Sequence, residues 1–382
     1  MRRHVAIGAA VAQRPAVGGH TWMALQWLLG FRSLGWEPTL LDWVDPAMCR
    51  SGSGRLCMPE DWIGVKYLAD VMQSFGLDDA WAVLVPGGEP LGLQRSELKR
   101  RVQACEMLVN VMGYVQDEIV STIPLRVFLD IDPGFGQMWK ALGLHDIFAG
   151  HDCFVSVGMN LGRNGCGVPD LGIEWVPTLP PVDMGSWPAV SGGEHITSVA
   201  TWRGPFGPIT YCGQVYGLRV HEFRRFLDLP RRTPATFRLA LDIDRADHAE
   251  LARLAEHGWG LVDPRSVAAD PIAYREFIQG SAAELNVAKS LYVKTRGGWF
   301  SDRSACYLAS GKPVIAQDTG FGEALPSGAG LLAFTTVDDA AAATEEVLGD
   351  YRRHAHAARE LAEEHLAAGR VIERLLSRLG MG

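Results

Sequence analysis

The chain is short of charge, above all of positive charge, and it has no long apolar run. Only 21% of its 382 residues are charged and the formal balance is −8. With no excess of lysine and arginine to form a basic face, nucleic acid is not expected as a partner. No stretch approaches the roughly 18 apolar residues of a membrane helix, so no membrane span is expected. The opening MRRHVAIGAAVA carries two arginines and small residues, but its apolar part is too brief for a secretory leader. It reads as a first strand, and the expected location is cytoplasmic. The seven cysteines, at 49, 57, 105, 153, 166, 212 and 306, contain no Cys-x-x-Cys pair and are odd in number. That excludes a complete disulfide framework and a cysteine zinc site, leaving reduced thiols. Nor does a full Gly-x-Gly-x-x-Gly with a well-spaced acid open either half, which disfavours a nicotinamide-dependent oxidoreductase.

What remains is a globular α/β pattern, 47% apolar and long enough for two cores. Apolar runs at 5–12, 35–42, 81–85, 107–112, 126–131 and 153–157 predict strands separated by helices, starting with a helix over 21–34. Their carboxyl ends finish in glycine-rich or acidic turns, among them Gly18-Gly19-His20 and Asp130-Ile131-Asp132. A second set of strands is expected at 197–201, 237–243, 259–262 and 291–293. The proline- and glycine-rich stretch 180–194 predicts a linker. The expected domains are therefore 1–180, 195–350 and a terminal helical segment, 351–382.

Residues 292–322, YVKTRGGWFSDRSACYLASGKPVIAQDTGFG, hold the densest signal. Gly297 and Gly298 permit close approach of the backbone to a ligand, and Ser301 and Asp302 are N-cap residues. The helix they open would aim free N–H groups and the positive end of its dipole at an anion such as a diphosphate. Gly311 is read as the C′ residue that ends it, and Val314-Ile315-Ala316 as a buried strand. Asp318, Thr319, Gly320 and Phe321 then fall at the strand's carboxyl end, where open α/β sheets bind ligands.

The segment ASGKPVIAQDTGFGEAL resembles the nucleotide-sugar-binding half of GT-B fold glycosyltransferases, of the family 1 and 4 type. The strand, glycine pair and long helix at the start, with Gly35-Trp36-Glu37-Pro38 after them, are similar to the opening of the same superfamily. The resemblance implies two Rossmann-like domains facing each other across a cleft, with an acceptor-side amino half and a donor-side carboxyl half whose last helix packs back on the first domain. It implies a glycosyltransferase of the hexosyltransferase class, moving a sugar from a nucleotide diphosphate sugar of unspecified base, UDP among the candidates, to a small-molecule acceptor. No cofactor and no metal are expected. The superfamily's retaining members carry a pair of glutamates before the Gly-Lys-Pro, and the aligned positions here are Trp299 and Cys306, so the stereochemical course stays open.

Arg203, directly after the first strand of the second half, matches the place of a phosphate-binding arginine. Lys289 and Lys294 are the further cations expected at the diphosphate, with Arg219 an alternative. Trp299 and Phe321 are candidates for stacking on base or sugar. On the acceptor side, Gly18 and Gly19 lead to His20, the expected general base, with Asp132 as alternative base or its orienting partner. The two Asp-x-Asp spacings, at 130–132 and 242–244, lack the surroundings of a metal-binding glycosyltransferase. A nucleotide-sugar 2-epimerase of the same fold and a two-domain solute-binding protein are the alternatives.

Overall fold

The computed structural model describes residues 2–204 and 206–382. It divides into two compact units, one of Met1–Ile131, Asp146–Val155 and Ala269–Pro271, the other of Asp132–His145, Ser156–Ala268 and Ile272–Gly382. The stretch 180–194, read from the sequence as a linker, and the terminal segment 351–382 both fall within the second unit. The reason is packing. Trp187 and Val182 are fully buried, Val182 N–H donates to the Leu366 carbonyl at 2.8 Å, and Val190 N–H to that of Ser310 at 3.0 Å. The prolines shape a packed strap.

The first unit's strands are His4–Gly8 (β1), Glu37–Trp43 (β2), Trp81–Leu84 (β3), Leu91–Gly92 (β4), Cys105–Val111 (β5), Leu125–Asp130 (β6) and Cys153–Ser156 (β7). Their order is β4-β3-β2-β1-β5-β6-β7. Pairings β1 with β2 and β5, β2 with β3, and β5 with β6 are parallel, while β4 returns antiparallel on β3. The order reverses between β1 and β5, so a crevice opens beyond the carboxyl ends of those two strands. The helix Gly18–Ser33 follows β1 and is buried from Thr21 through Phe31 without a break. A helix apolar on all sides belongs inside a layered core, and this one anchors Trp22 through its indole N–H to the Pro271 carbonyl at 2.7 Å.

Trp175–Pro177 (β8) and the hairpin Ile209–Tyr211 (β10) with Gln214–Tyr216 (β11) belong to the second unit. So do Ile196–Thr201 (β9), Phe237–Asp242 (β12), Gly260–Val262 (β13), Ala283–Asn286 (β14), Val314–Gln317 (β15) and Leu331–Phe334 (β16). The latter six form a parallel sheet ordered β13-β12-β9-β14-β15-β16. This repeats the doubly wound order of the first unit, with its reversal between β9 and β14. Behind it, Trp202, Phe223, Phe226, Trp259 and Phe334 pack as an aromatic core.

The strand expected at 291–293 is instead part of the helix Ser290–Thr295, and the strand is β14, Ala-Glu-Leu-Asn. A charged residue in the middle of β14 hides its apolar pattern. Glu284 is fully buried there because Arg303 neutralises it.

Candidate functional site

The second unit's reversal point gathers cations. Arg219 lies at the start of the helix Arg219–Phe223 and donates to the Val287 carbonyl just past β14. Burial, and then repulsion from Arg303, lowers its pKa to about 10, leaving it charged at neutral pH. Lys289 caps the helix Ser290–Thr295, and its ammonium sits 2.6 Å from the Asp132 carboxylate. Tyr292 donates its hydroxyl to the other Asp132 oxygen and stacks on Trp299 at 4.2 Å, 18° from parallel. Asp132 thus lies with Lys289 and Tyr292 in the second unit, whereas the sequence reading associated it with His20.

The helix Asp302–Ala309 begins at the N-cap Ser301, whose hydroxyl makes no capping bond to the first turn and reaches only Asp302 Oδ1, at 3.5 Å. In its place the Asp302 carboxylate accepts from Arg303 N–H at 2.9 Å, so part of that turn's donor capacity is met from within the helix. At the far end Gly311 takes φ +68°. Its N–H bonds to Leu308 at 2.9 Å and that of Lys312 to Tyr307 at 2.9 Å, the paired closure of a Schellman motif. Lys312 is fully buried, burial lowers its pKa to about 8, and its ammonium donates to the Gly192 carbonyl.

Two turns flank the helix start. In the first, Gly298 has φ +75°, and in the second Gly320 has φ +88°. Gly298 N–H donates to the Thr319 carbonyl at 2.9 Å, and the Thr319 hydroxyl to that of Trp299 at 2.5 Å. Asp318 pairs with Arg296 at 2.9 Å and accepts from Gly320 N–H at 2.7 Å. Asn160, from a loop 136 residues upstream, donates its side-chain amide to the carbonyls of Arg296 and Gly320, each at 3.1 Å, and its backbone N–H to Gly297 at 3.0 Å. Beneath the helix start, Arg303 donates to Glu284, to Asn286 Oδ1 at 2.9 Å and to the Val199 carbonyl at 2.8 Å. Burial opposes its charge, but the Glu284 carboxylate outweighs that and raises its pKa.

Gly297, Gly298, Trp299, Ser301, Asp302, Asp318, Thr319 and Gly320 are therefore brought together on the turns and helix start where the sequence reading set them. Other expected residues are engaged elsewhere. Arg203 is half exposed and forked onto Asp247 by two 2.9 Å bonds. Lys294 is exposed and donates to the Val215 carbonyl at 2.7 Å. Phe321 is buried against Phe300, at 5.6 Å between rings, and Trp299 is covered by Tyr292. Asn160, Tyr292 and Arg303 were not read as site residues from the sequence. Only Arg303 had a local signal, as a cation one residue past the N-cap pair.

In the first unit Gly18 and Gly19 open the helix Gly18–Ser33, and neither takes a positive φ. His20, in the same first turn, keeps partial exposure as a residue while its Nε2 is enclosed and has no hydrogen-bond partner among the described residues. Burial and the nearby Arg14 lower its pKa to about 4, against a hydrogen bond to the Ala10 carbonyl. The bond to Ala10 leaves the proton on Nδ1 and the lone pair on Nε2. Nearby at the carboxyl end of β2, Asp42 is fully buried and accepts from the N–H groups of Ala12 at 2.5 Å and Trp43 at 2.7 Å. Burial raises its pKa to about 6.

No family model matches the chain, and no curated protein sequence matches it. Solved structures do match in fold. An alpha-glucosyltransferase in complex with UDP-glucose and DNA containing an abasic site aligns over 100% of this chain and 99% of its own, at TM-score 0.59 and 13% identity. Anabaena Alr3699/HepE in complex with UDP-glucose aligns over 99% of both chains, at 0.59 and 12%. Sucrose-phosphate synthase from Thermosynechococcus elongatus aligns over 99% of both, at 0.52 and 12%. The chain has the GT-B glycosyltransferase fold, as the resemblance at 292–322 implied. Among the described residues, no helix is long and apolar enough to cross a membrane.

One expectation is overturned. Net charge led to the exclusion of nucleic acid as a partner, yet several structures of this same fold are glucosyltransferases held with DNA. The physical fault lies in the inference. A sum of −8 over 382 residues does not fix the local field at a binding surface, where a few cations suffice.

Proposed function

We propose that this chain is a glycosyltransferase that takes a sugar from a nucleoside diphosphate donor, uridine first among the bases, and passes it to a hydroxyl-bearing acceptor. The observation that carries this reading is the construction at the second unit's reversal point. Two left-handed glycine turns and the start of the helix Asp302–Ala309 stand with Arg219 and the Lys289–Asp132 pair at the carboxyl edge of a parallel sheet. Such a site offers a helix dipole, Arg219, and Lys289 on leaving Asp132 to a leaving diphosphate, which would stabilise the negative charge that grows as the glycosidic bond breaks. The uridine assignment and the choice of a hexose are supported by the donors named for the structures of like fold. No step in this reading requires a metal or another cofactor.

His20 is the proposed base on the acceptor side. Its Nε2 is enclosed but has no hydrogen-bond partner among the described residues, and a pKa near 4 keeps the ring unprotonated at neutral pH. An acceptor hydroxyl would complete its hydrogen bonding. Asp132, held by Lys289 and Tyr292, is proposed to act on the donor side. Arg203 and Lys294 are proposed as outer contacts that reach a donor only on leaving Asp247 and the Val215 carbonyl.

The test is calorimetric titration with UDP and UDP-glucose, followed by transfer assays on single-stranded and duplex DNA bearing hydroxymethylated bases beside a panel of small hydroxyl acceptors. Binding of UDP with turnover on one acceptor class is the expected result. Lys289→Ala should weaken UDP binding. Replacing His20 with Ala should leave UDP binding intact and slow transfer by roughly 10²-fold or more. A chain that binds no nucleoside diphosphate would sink the proposal.

A further inference from the structure

Asn160 donates three hydrogen bonds, all to the two turns of the donor side. Both side-chain bonds end on carbonyl oxygens, so the amide must present its nitrogen to them and its orientation is chemically fixed. The same carboxamide explains the glycines. A Cβ on Gly298 would stand 2.9 Å from Asn160 Cγ, and a Cβ on Gly320 would stand 2.9 Å from Asn160 Nδ2. Each glycine also needs its positive φ, so each position combines a left-handed backbone with room for one shared side chain. The Asn160 loop is itself fastened to the first turn, by a bridge between Gly158 and Trp299 and by Gly167 N–H on the Thr295 carbonyl at 2.7 Å.

We propose that Asn160 is the positioning residue of the donor site, and that its carboxamide sets the separation and rotation of turns 296–298 and 318–320 and thereby aims the backbone of the helix start at the diphosphate. This rests on the nucleotide-sugar reading above. Neither turn has a helix or sheet ladder of its own to fix its distance from the other. Direct bonds between them run from Gly298 N–H to the Thr319 carbonyl and from the Arg296 guanidinium to Asp318, an exposed pair, and Asn160 adds the one side chain that holds a backbone carbonyl of each.

Calorimetric titration with UDP on four chains tests it: wild type, Asn160→Asp, Gly320→Ala and the double variant, each at a temperature well below its own unfolding midpoint. Asn160→Asp keeps the size of the side chain but turns a carboxylate toward two carbonyls, and should lose about tenfold or more in UDP affinity. Gly320→Ala presses on the same amide and, at an equal 2.9 Å, on the Arg296 carbonyl that this amide holds, and should also lose affinity. The double variant should bind no worse than the poorer single, because both act through one element. Additive losses, or wild-type affinity in Asn160→Asp, would overturn the inference. If Asn160→Asp does not fold, Asn160→Ser takes its place, and wild-type affinity in both Asn160→Ser and Gly320→Ala overturns it equally. A wild-type chain that ignores UDP and every other nucleoside diphosphate overturns the functional reading beneath. Binding by the wild type with equal binding by the variants overturns only the role of Asn160.

Discussion

The two units share one strand order, and each reverses it at the same step, between β1 and β5 in the first and between β9 and β14 in the second. What they bury near that step differs. The first encloses ionisable groups singly: Asp42, whose bonded partners are neutral N–H groups, and His20, beside a carbonyl. Burial drives both toward their uncharged forms. The second holds charge in company, with Arg303 buried against Glu284 and Asn286, and Lys289 half-buried against Asp132. One scaffold therefore holds solitary ionisable groups at one reversal and paired charges at the other, and the partner supplied to each group decides which.

The largest effect should come from breaking the buried pair. Arg303→Met leaves Glu284 fully buried without its cation and should cost about 3–5 kcal/mol in denaturant unfolding. Adding Glu284→Gln should recover a good part of it. A small loss for Arg303→Met alone would mean that pairing is not what separates the units.

Next come the solitary groups, whose pH signatures run in opposite senses. In the unfolded chain the His20 ring binds its proton near the ordinary 6.5, and in the fold only near 4. Between those values the unfolded state holds more protons, so this group makes stability fall as pH drops from 6.5 toward 4. Asp42 loses its proton near 3.8 when unfolded and near 6 when folded. Here the folded state holds more protons, and stability falls as pH rises from 3.8 to 6. The windows overlap and the two contributions largely offset each other in the wild type. His20→Gln should unmask the falling profile and Asp42→Asn the rising one, each differing from wild type by on the order of 2 kcal/mol across the window. Parallel profiles in all three chains would contradict the solitary-burial account. The smallest effect belongs to the exposed Arg203–Asp247 fork. Arg203→Ala should barely move the unfolding midpoint. It should also weaken UDP binding less than Lys289→Ala does, as titration of the two variants would report.

The sheet strands followed the apolar runs closely, because a run flanked by glycine or proline has few other ways to bury itself. The helix start at Ser301-Asp302 and the closure at Gly311 were legible for the same local reason. β14 was not, since Glu284 interrupts its pattern and the residue that makes this tolerable lies 19 positions away. Asn160 was invisible for a stronger version of that reason, as nothing near it in the chain reports that it will meet the carbonyls of 296 and 320. Charged candidates such as Arg203 were chosen by position in a motif, and position says nothing about a neighbouring Asp247.

Lys312 carries the last lesson. It is the lysine of the Gly-Lys-Pro signature, yet it is sealed from solvent with its ammonium on the Gly192 carbonyl. A fingerprint built on those three residues therefore encodes how a helix is stopped and a strand begun over a buried strap. Proteins gathered by it would be expected to agree in backbone course while diverging in the molecules they use.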